Sequence, residues 1–384
     1  MLIVLVALAV AGCGGGPSVD WGRQLKVDED YFPIGVWMQA PSKAERFRQM
    51  GVNLYVNLWQ GPTGAQLAAL SDAGMEVFCE MAHDAEAHLD NPVIVGWLHV
   101  DEPDNAQPTN IPGRYDPPIA PERIVLRYRR IKEIDPSRPV MVTLGHGVAW
   151  DAWRGRRERT GRLEDYPAYL EGCDMVSFDI YPATSRDEAI AGKLWYVPRG
   201  VRRLKDWSRG KKMVWAAIEC SRIGNMEVEP TVEQIRSEVW MAIIHGARGI
   251  IYFTHQFTPR FNAAPILDAD HRAMYEGVKQ LNWEIHSLAS VINAPAADPP
   301  ATVDAAPDTV PIALTTRRVD GSTYIFAVAM RDDLARGIFT VPGARDGATV
   351  EILGEGRTLT VEDGRFADDF AGYQVHLYRI GEGE

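Results

Sequence analysis

Residues 93–103 read VIVGWLHVDEP. A strand covered on both faces needs such an unbroken apolar run, since alternation is required only where one face meets water. Pro103 disfavours further regular structure and turns the chain out of the strand. The same pattern recurs to either side, at 32–38, 52–59, 75–81, 139–146, 174–181, 212–219 and 247–255. With 93–101 these make eight runs rich in Val, Ile and aromatics. Between them the 3.6-residue period predicts helices over 43–50, 65–73, 121–134, 162–170, 201–208, 232–244 and 269–291. Pro41-Ser42 precedes the first, and Thr231 with Gln234 has capping-box spacing. Asp135-Pro136 and Arg209-Gly210 end two others. The third repeat is short of helix, with only 88–91 available. Eight strand–helix units within 31–293 predict a (β/α)8 TIM barrel. An open doubly wound sheet is the alternative, but no Gly-rich phosphate turn follows the first run.

The whole chain has 384 residues, 46% apolar and 24% charged, which suits a soluble body of more than one domain. Acidic residues outnumber basic ones, 52 to 40, and the net charge of −12 argues against nucleic acid as a partner. After the last helix the pattern changes. Residues 293–300 are Ala- and Pro-rich and read as a linker. Short alternating runs follow at 311–319, 322–330, 337–341, 349–353, 357–361 and 373–378, separated by turns such as Asp320-Gly321 and Asp363-Gly364. They predict a small C-terminal antiparallel β-sandwich over 301–384.

Residues 2–11, LIVLVALAVA, are too few to span a bilayer but suit the core of an export signal. Val10-Ala11-Gly12-Cys13 and a Gly-rich stretch come next. This segment resembles the lipobox of bacterial lipoproteins, although no Lys or Arg precedes the apolar run. The resemblance implies a lipoprotein signal peptide and tether over 1–30, lipidation at Cys13, and a body held to the membrane by a lipid anchor at the bacterial cell envelope. An ordinary cleaved signal is the other reading. Cys79, Cys173 and Cys220 remain, and all three are expected as free thiols. The first and last lie on strands that are not neighbours in a barrel, too far apart for a disulfide.

In a (β/α)8 barrel, chemistry collects at the C-terminal ends of the strands. Strand four ends His99-Val100-Asp101-Glu102-Pro103 and strand seven ends Ile218-Glu219-Cys220-Ser221. Two carboxyls about 5–5.5 Å apart support retaining glycoside hydrolysis. Glu102-Pro103, with Trp97 upstream, resembles the strand-four motif Asn-Glu-Pro of clan A glycoside hydrolases, and Glu219 matches their strand-seven Glu. The resemblance covers the barrel. It implies a carbohydrate substrate with a β-linkage, Glu102 as acid/base and Glu219 as nucleophile, without a cofactor or metal. Tyr181, in Asp179-Ile180-Tyr181-Pro182, matches a residue that touches the nucleophile.

The departures are informative. Asp101 replaces the Asn that donates to the sugar 2-hydroxyl, and an ionised Asp only accepts. Strand eight ends Phe253-Thr254-His255, without the common Trp. Asn57 and Trp59 stand where an Arg is expected after strand two. An adjacent Asp-Glu pair also occurs in hexosaminidase-like barrels, where the substrate's acetamide is the nucleophile; Glu219 is then dispensable. A non-catalytic glycan-binding lipoprotein on an enzyme scaffold is a third reading.

His83, His146 and His255 fall at the same face and are candidates for sugar hydroxyls, although their spacing fits no metal motif. Trp37 and Trp59 are candidates for stacking on sugar rings. Trp97, Trp215 and Trp283 are expected in the core. Long loops at 104–120, 182–199 and 256–268 would wall a cleft.

Overall fold

The computed structural model describes residues 29–81, 85–153 and 162–381. The eight apolar runs each contain a strand: β1 (Ile34–Trp37), β2 (Leu54–Val56), β3 (Glu76–Glu80), β4 (Ile94–Leu98), β5 (Val140–Leu144), β6 (Met175–Phe178), β7 (Met213–Glu219) and β8 (Ile250–Phe253). They pair in parallel, each with its sequence neighbour, and β8 closes on β1. The fold is a (β/α)8 barrel followed by an antiparallel β-sandwich. Every residue of β1, β2, β4, β5 and β6 is buried, as continuous apolarity demands.

Trp37, Phe78, Leu98, Met141, Met175, Trp215 and Ile251 fill the barrel interior. Phe78 and Trp215 meet edge to face, centroids 5.6 Å apart. Gly96 makes room for them, since a Cβ there would lie 2.0 Å from the Phe78 ring.

The outer layer is α1 (Ala44–Gln49), α2 (Gly64–Asp72), α3 (Pro121–Ile134), α4 (Asp165–Leu170), α5 (Tyr196–Trp207), α6 (Val232–Ile244), α7 (Arg272–Ser287) and α8 (Ala289–Asn293). Capping boxes open α2 at Thr63 and α6 at Thr231. Helix α5 begins five residues before the sequence expectation. Pro198 lies in its first turn, where a missing N–H costs nothing. The third repeat has a single 3-10 turn, Ala85–His88, in place of a helix.

Arg138 ties down this stretch. It is 1% exposed, and its guanidinium donates to the carbonyls of Leu89, Asn91 and Ile94 and to Asp135. The Asp135 carboxyl is held down to about 2: donors from Ser137, Arg138 and Trp97 overcome the effect of its burial.

The C-terminal strands are β9 (Thr302–Ala306), β10 (Ile312–Val319), β11 (Ser322–Ala329), β12 (Ala335–Thr340), β13 (Thr349–Ile352), β14 (Arg357–Thr360), β15 (Arg365–Phe370) and β16 (Val375–Gly381). They form two antiparallel sheets, β9-β12-β15 and β10-β11-β16-β13-β14. Two strands escape the sequence reading. Strand β9 has no buried residue to set an alternation. Strand β15 carries Asp368 inward, where Arg357 and Tyr378 satisfy it.

The sandwich continues the barrel core: Phe326 packs on Trp240 of α6, centroids 4.9 Å apart, and Arg331 lies over Trp195. Trp97 and Trp215 are buried as expected. Trp283 is 54% exposed instead, on the outer face of α7. The three cysteines past the N-terminal segment are free and buried. No helix among the described residues is long and apolar enough to cross a membrane. The export segment with Cys13, and His83, lie outside the described residues.

Candidate active site

A pocket opens at the C-terminal ends of the barrel strands. Trp37, Tyr181 and Phe253 wall it, and Asp101, Glu102, Asp179, Thr143 and Ser177 supply its polar groups. That is the usual make-up of a ligand site: an apolar surround with a few convergent polar atoms.

Asp101 and Glu102 are neighbours, and side chains adjacent in an extended chain point to opposite faces. Both nevertheless line the pocket, because Glu102 adopts a left-handed backbone with φ 41°. Such a conformation costs a non-glycine residue on the order of 1 kcal/mol and concentrates at functional sites. Contacts around the turn fix it. The Glu102 carbonyl accepts from the Asn105 N–H and the Gln107 side chain, at 2.9 and 2.8 Å. Asn105 Nδ2 donates to Glu102 Oε2 at 2.9 Å, and Thr143 Oγ1 donates to Asp101 Oδ1 at 2.9 Å. Glu102 Oε1 rests on Gly145, where a Cβ would come within 2.7 Å of it.

Two further carboxyls complete the cluster. Asp104 accepts from the Gly145 N–H at 2.9 Å and from the Tyr166 hydroxyl at 3.1 Å. Asp179 lies 3.4 Å from His146 Nδ1. His146 stacks on Trp153 and meets Tyr181 edge-on, both at 5.6 Å.

No Lys or Arg lines the pocket among the described residues. Four carboxyls gather here, and each raises the proton affinity of its neighbours. Burial, then Asp179, Asp101 and Asp104, hold the Glu102 carboxyl well above the usual range. Asp101 keeps an open edge to solvent, yet the protein packed around it and the charge of Asp179 push it up to about 7. Burial raises Asp104 to about 6. Burial opposes a charge on His146, but Asp179 outweighs it and the imidazole rises above its ordinary value. Glu102, His146 and Asp179 offer ligand atoms within 4.8 Å of one another, a set able to hold a cation.

The strand-seven glutamate is elsewhere. Glu219 is 0% exposed and does not line the pocket. Its Oε1 accepts from the Ala183 N–H at 2.6 Å. Its Oε2 accepts from the Thr184 N–H at 2.8 Å and the Thr184 hydroxyl at 2.5 Å. A carboxylate whose lone pairs are so occupied has no free face for an anomeric carbon. The structure thus places Glu219, the nucleophile expected from the sequence, beneath the turn after β6 and off the pocket.

The other candidates divide. Trp37 and Tyr181 line the pocket; His146 sits behind it, against Tyr181 and Asp179. Trp59 is 70% exposed and off the pocket. His255 is buried, with Nε2 on the Met38 carbonyl and its ring against Phe253 and Phe261. Asp179 is the residue that sequence reasoning missed. A signal was present, since Ser177, Asp179 and Tyr181 are spaced two apart and all three line the pocket.

No family model matches the sequence, and no curated protein matches it. Among solved structures, the fold is similar to an Anoxybacillus alpha-amylase (TM-score 0.54, 8% identity, 93% of this chain and 99% of that one). It is similar to a noncanonic maltogenic alpha-amylase from Thermotoga neapolitana (0.55, 7%, 92% and 99%). It is also similar to the alpha-amylase of Geobacillus thermoleovorans, solved with acarbose (0.53, 8%, 93% and 99%). At these identities the likeness is one of fold.

Proposed function

We propose that this protein is a glycoside hydrolase that cleaves a β-linked 2-acetamido sugar, using the substrate's own acetamide as nucleophile. One observation carries the reading: Asp101 and Glu102 share a single pocket, while Glu219 is sealed away from it. The similarity in fold to solved amylases supports the wider class.

Glu102, held protonated by its acidic neighbours, gives its proton to the leaving oxygen. The acetamide oxygen attacks the anomeric carbon and closes a five-membered oxazolinium ring. Asp101, ionised, accepts from the acetamide N–H and stabilises its positive charge. Glu102 then takes a proton from water, which opens the ring with net retention. Trp37, Tyr181 and Phe253 supply apolar walls for the sugar and its acetyl group.

The test is a panel of aryl β-glycosides with and without the 2-acetamido group, plus a 2-deoxy-2-fluoro glycoside. Turnover confined to acetamido sugars, with no covalent labelling by the fluoro sugar, is expected. A second reading rests on one distance. Asp179 and Glu102 offer oxygens within 4.8 Å, close to the separation of a direct-attack pair. Fluoro-sugar labelling of Asp179 selects it, and saturable glycan binding without turnover selects the non-catalytic reading.

We place the enzyme at the bacterial cell envelope, anchored through Cys13; the apolar run and V-A-G-C segment support this. Incorporation of an alkynyl fatty acid in the wild type but not in Cys13→Ser is the expected result.

A further inference from the structure

We propose that Glu219 and Glu238 form a buried carboxyl pair sharing one proton, and that the pair clamps the turn after β6 and so positions Tyr181 in the pocket. The clamp itself stands on the barrel geometry; only its link to turnover rests on the reading above.

Glu238 lies on α6, is 0% exposed, and neither of its carboxyl oxygens meets a donor from the rest of the protein. Helix α6 packs against β7, which brings Glu238 up against Glu219. Two acceptor-only groups in contact, both out of water, cannot both be ionised, so a proton must lie between them.

Its place follows from the count of donors. A carboxylate offers about four lone-pair sites. Ala183 N–H, Thr184 N–H and the Thr184 hydroxyl fill three on Glu219. A protonated Glu238 fills the fourth with its O–H, which leaves only its carbonyl oxygen without a donor. The opposite placement would set an O–H of Glu219 among donors. The titration directions agree. Burial lifts both groups, but hydrogen bonds counter this at Glu219, while contact with Glu219 adds to it at Glu238.

The other titratable groups that feel the pair are Cys220 at the end of β7, His146 after β5 and Tyr373 of the sandwich. Ser237, beside Glu238 on α6, donates to the Tyr373 carbonyl at 2.7 Å. Helix α6 thus meets the sandwich through Ser237, while the pair beside it reaches the pocket turn through Glu219. Glu219 is a positioning residue here.

The pH dependence has a definite sign. Unfolded, Glu238 titrates in the usual carboxyl range; folded, it keeps its proton to higher pH. The native state then binds the extra proton, so stability falls as pH rises from the ordinary carboxyl range through the folded value. Glu238→Gln keeps a donor toward Glu219 and removes the titration. Glu219→Gln puts an amide NH2 against donors and leaves at least one turn amide without an acceptor.

The experiment is hydrogen exchange of Ala183 and Thr184 with thermal melting from pH 4.5 to 9, on wild type, Glu238→Gln, Glu219→Gln and Thr184→Val. Expected are intact protection in Glu238→Gln, with a Tm above wild type at neutral and higher pH and a flatter slope. Glu219→Gln should lose tenfold or more in protection at the turn; Thr184→Val should lose less. If Glu219→Gln does not fold, Glu238→Gln and Thr184→Val still decide. Unchanged protection in Glu219→Gln, or equal Tm slopes in wild type and Glu238→Gln, overturns the proposal. These readouts need no substrate, so failure of the clamp and failure of the proposed reaction are separately visible.

Discussion

Replacing Asp101 by Asn separates the candidate mechanisms with one isosteric change. In the barrels whose strand-four motif is Asn-Glu-Pro, Asn is the native residue, so a direct-attack enzyme should tolerate it or improve. In the substrate-assisted reaction Asp101 must be an anion beside the developing oxazolinium. Losing one preorganised charge partner at a transition state costs about 2.7–4 kcal/mol, or 10²–10³ in kcat. The Thr143 hydroxyl, 2.9 Å away, donates equally well to the Asn carbonyl, so the fold should survive. The pH profile adds a second signature. On the substrate-assisted mechanism, activity needs Asp101 ionised and Glu102 protonated. With Asp101 pushed up to about 7, kcat/KM should rise through that pH and fall again only as Glu102 loses its proton. In Asp101→Asn the acidic limb disappears. The alkaline limb moves to lower pH, because Asp101 is one of the charges that raise Glu102. The assay is kcat/KM from pH 4 to 10 on an aryl N-acetyl-β-hexosaminide. A variant with wild-type kcat and an unshifted acidic limb would refute the role of Asp101.

Three further outcomes are expected. Glu102→Gln should lower kcat by about 10²–10⁴ on a poor leaving group and far less on a dinitrophenyl glycoside, which needs no proton. Gly145→Ala would put a Cβ 2.7 Å from Glu102 Oε1 and displace the acid; kcat should fall about 10²-fold, with Tm almost unchanged, since small misplacements of reacting groups cost that much. Arg138→Met leaves Asp135 and three backbone carbonyls without their buried donor; a loss of about 3–5 kcal/mol in denaturant melts is expected, and a loss under 1 kcal/mol would show that Arg138 is replaceable.

The sequence by itself determined the barrel. Strands covered on both faces must be apolar throughout, so eight such runs are legible one by one, and the capping box at Thr231 marks a helix start without outside help. It also placed Asp101, Glu102 and Tyr181 at the active face, because that face is set by where strands end. Strand β9 was hidden because only the small, half-buried Val303 and Ala305 mark its inner face, and β15 because Asp368, satisfied by Arg357, interrupts the face that Phe366 and Phe370 bury.

Only the tertiary structure decided which strand-end carboxyls line the pocket. Glu219 has the strand parity of Trp215 and Ala217, which face the barrel interior, and is nevertheless closed off by donors 35 and 36 residues away. Asp179 becomes part of the site through its distance to Glu102 and His146, each from a different strand. A strand pattern fixes which face a residue takes. Whether its lone pairs are free depends on loops that the local pattern does not encode.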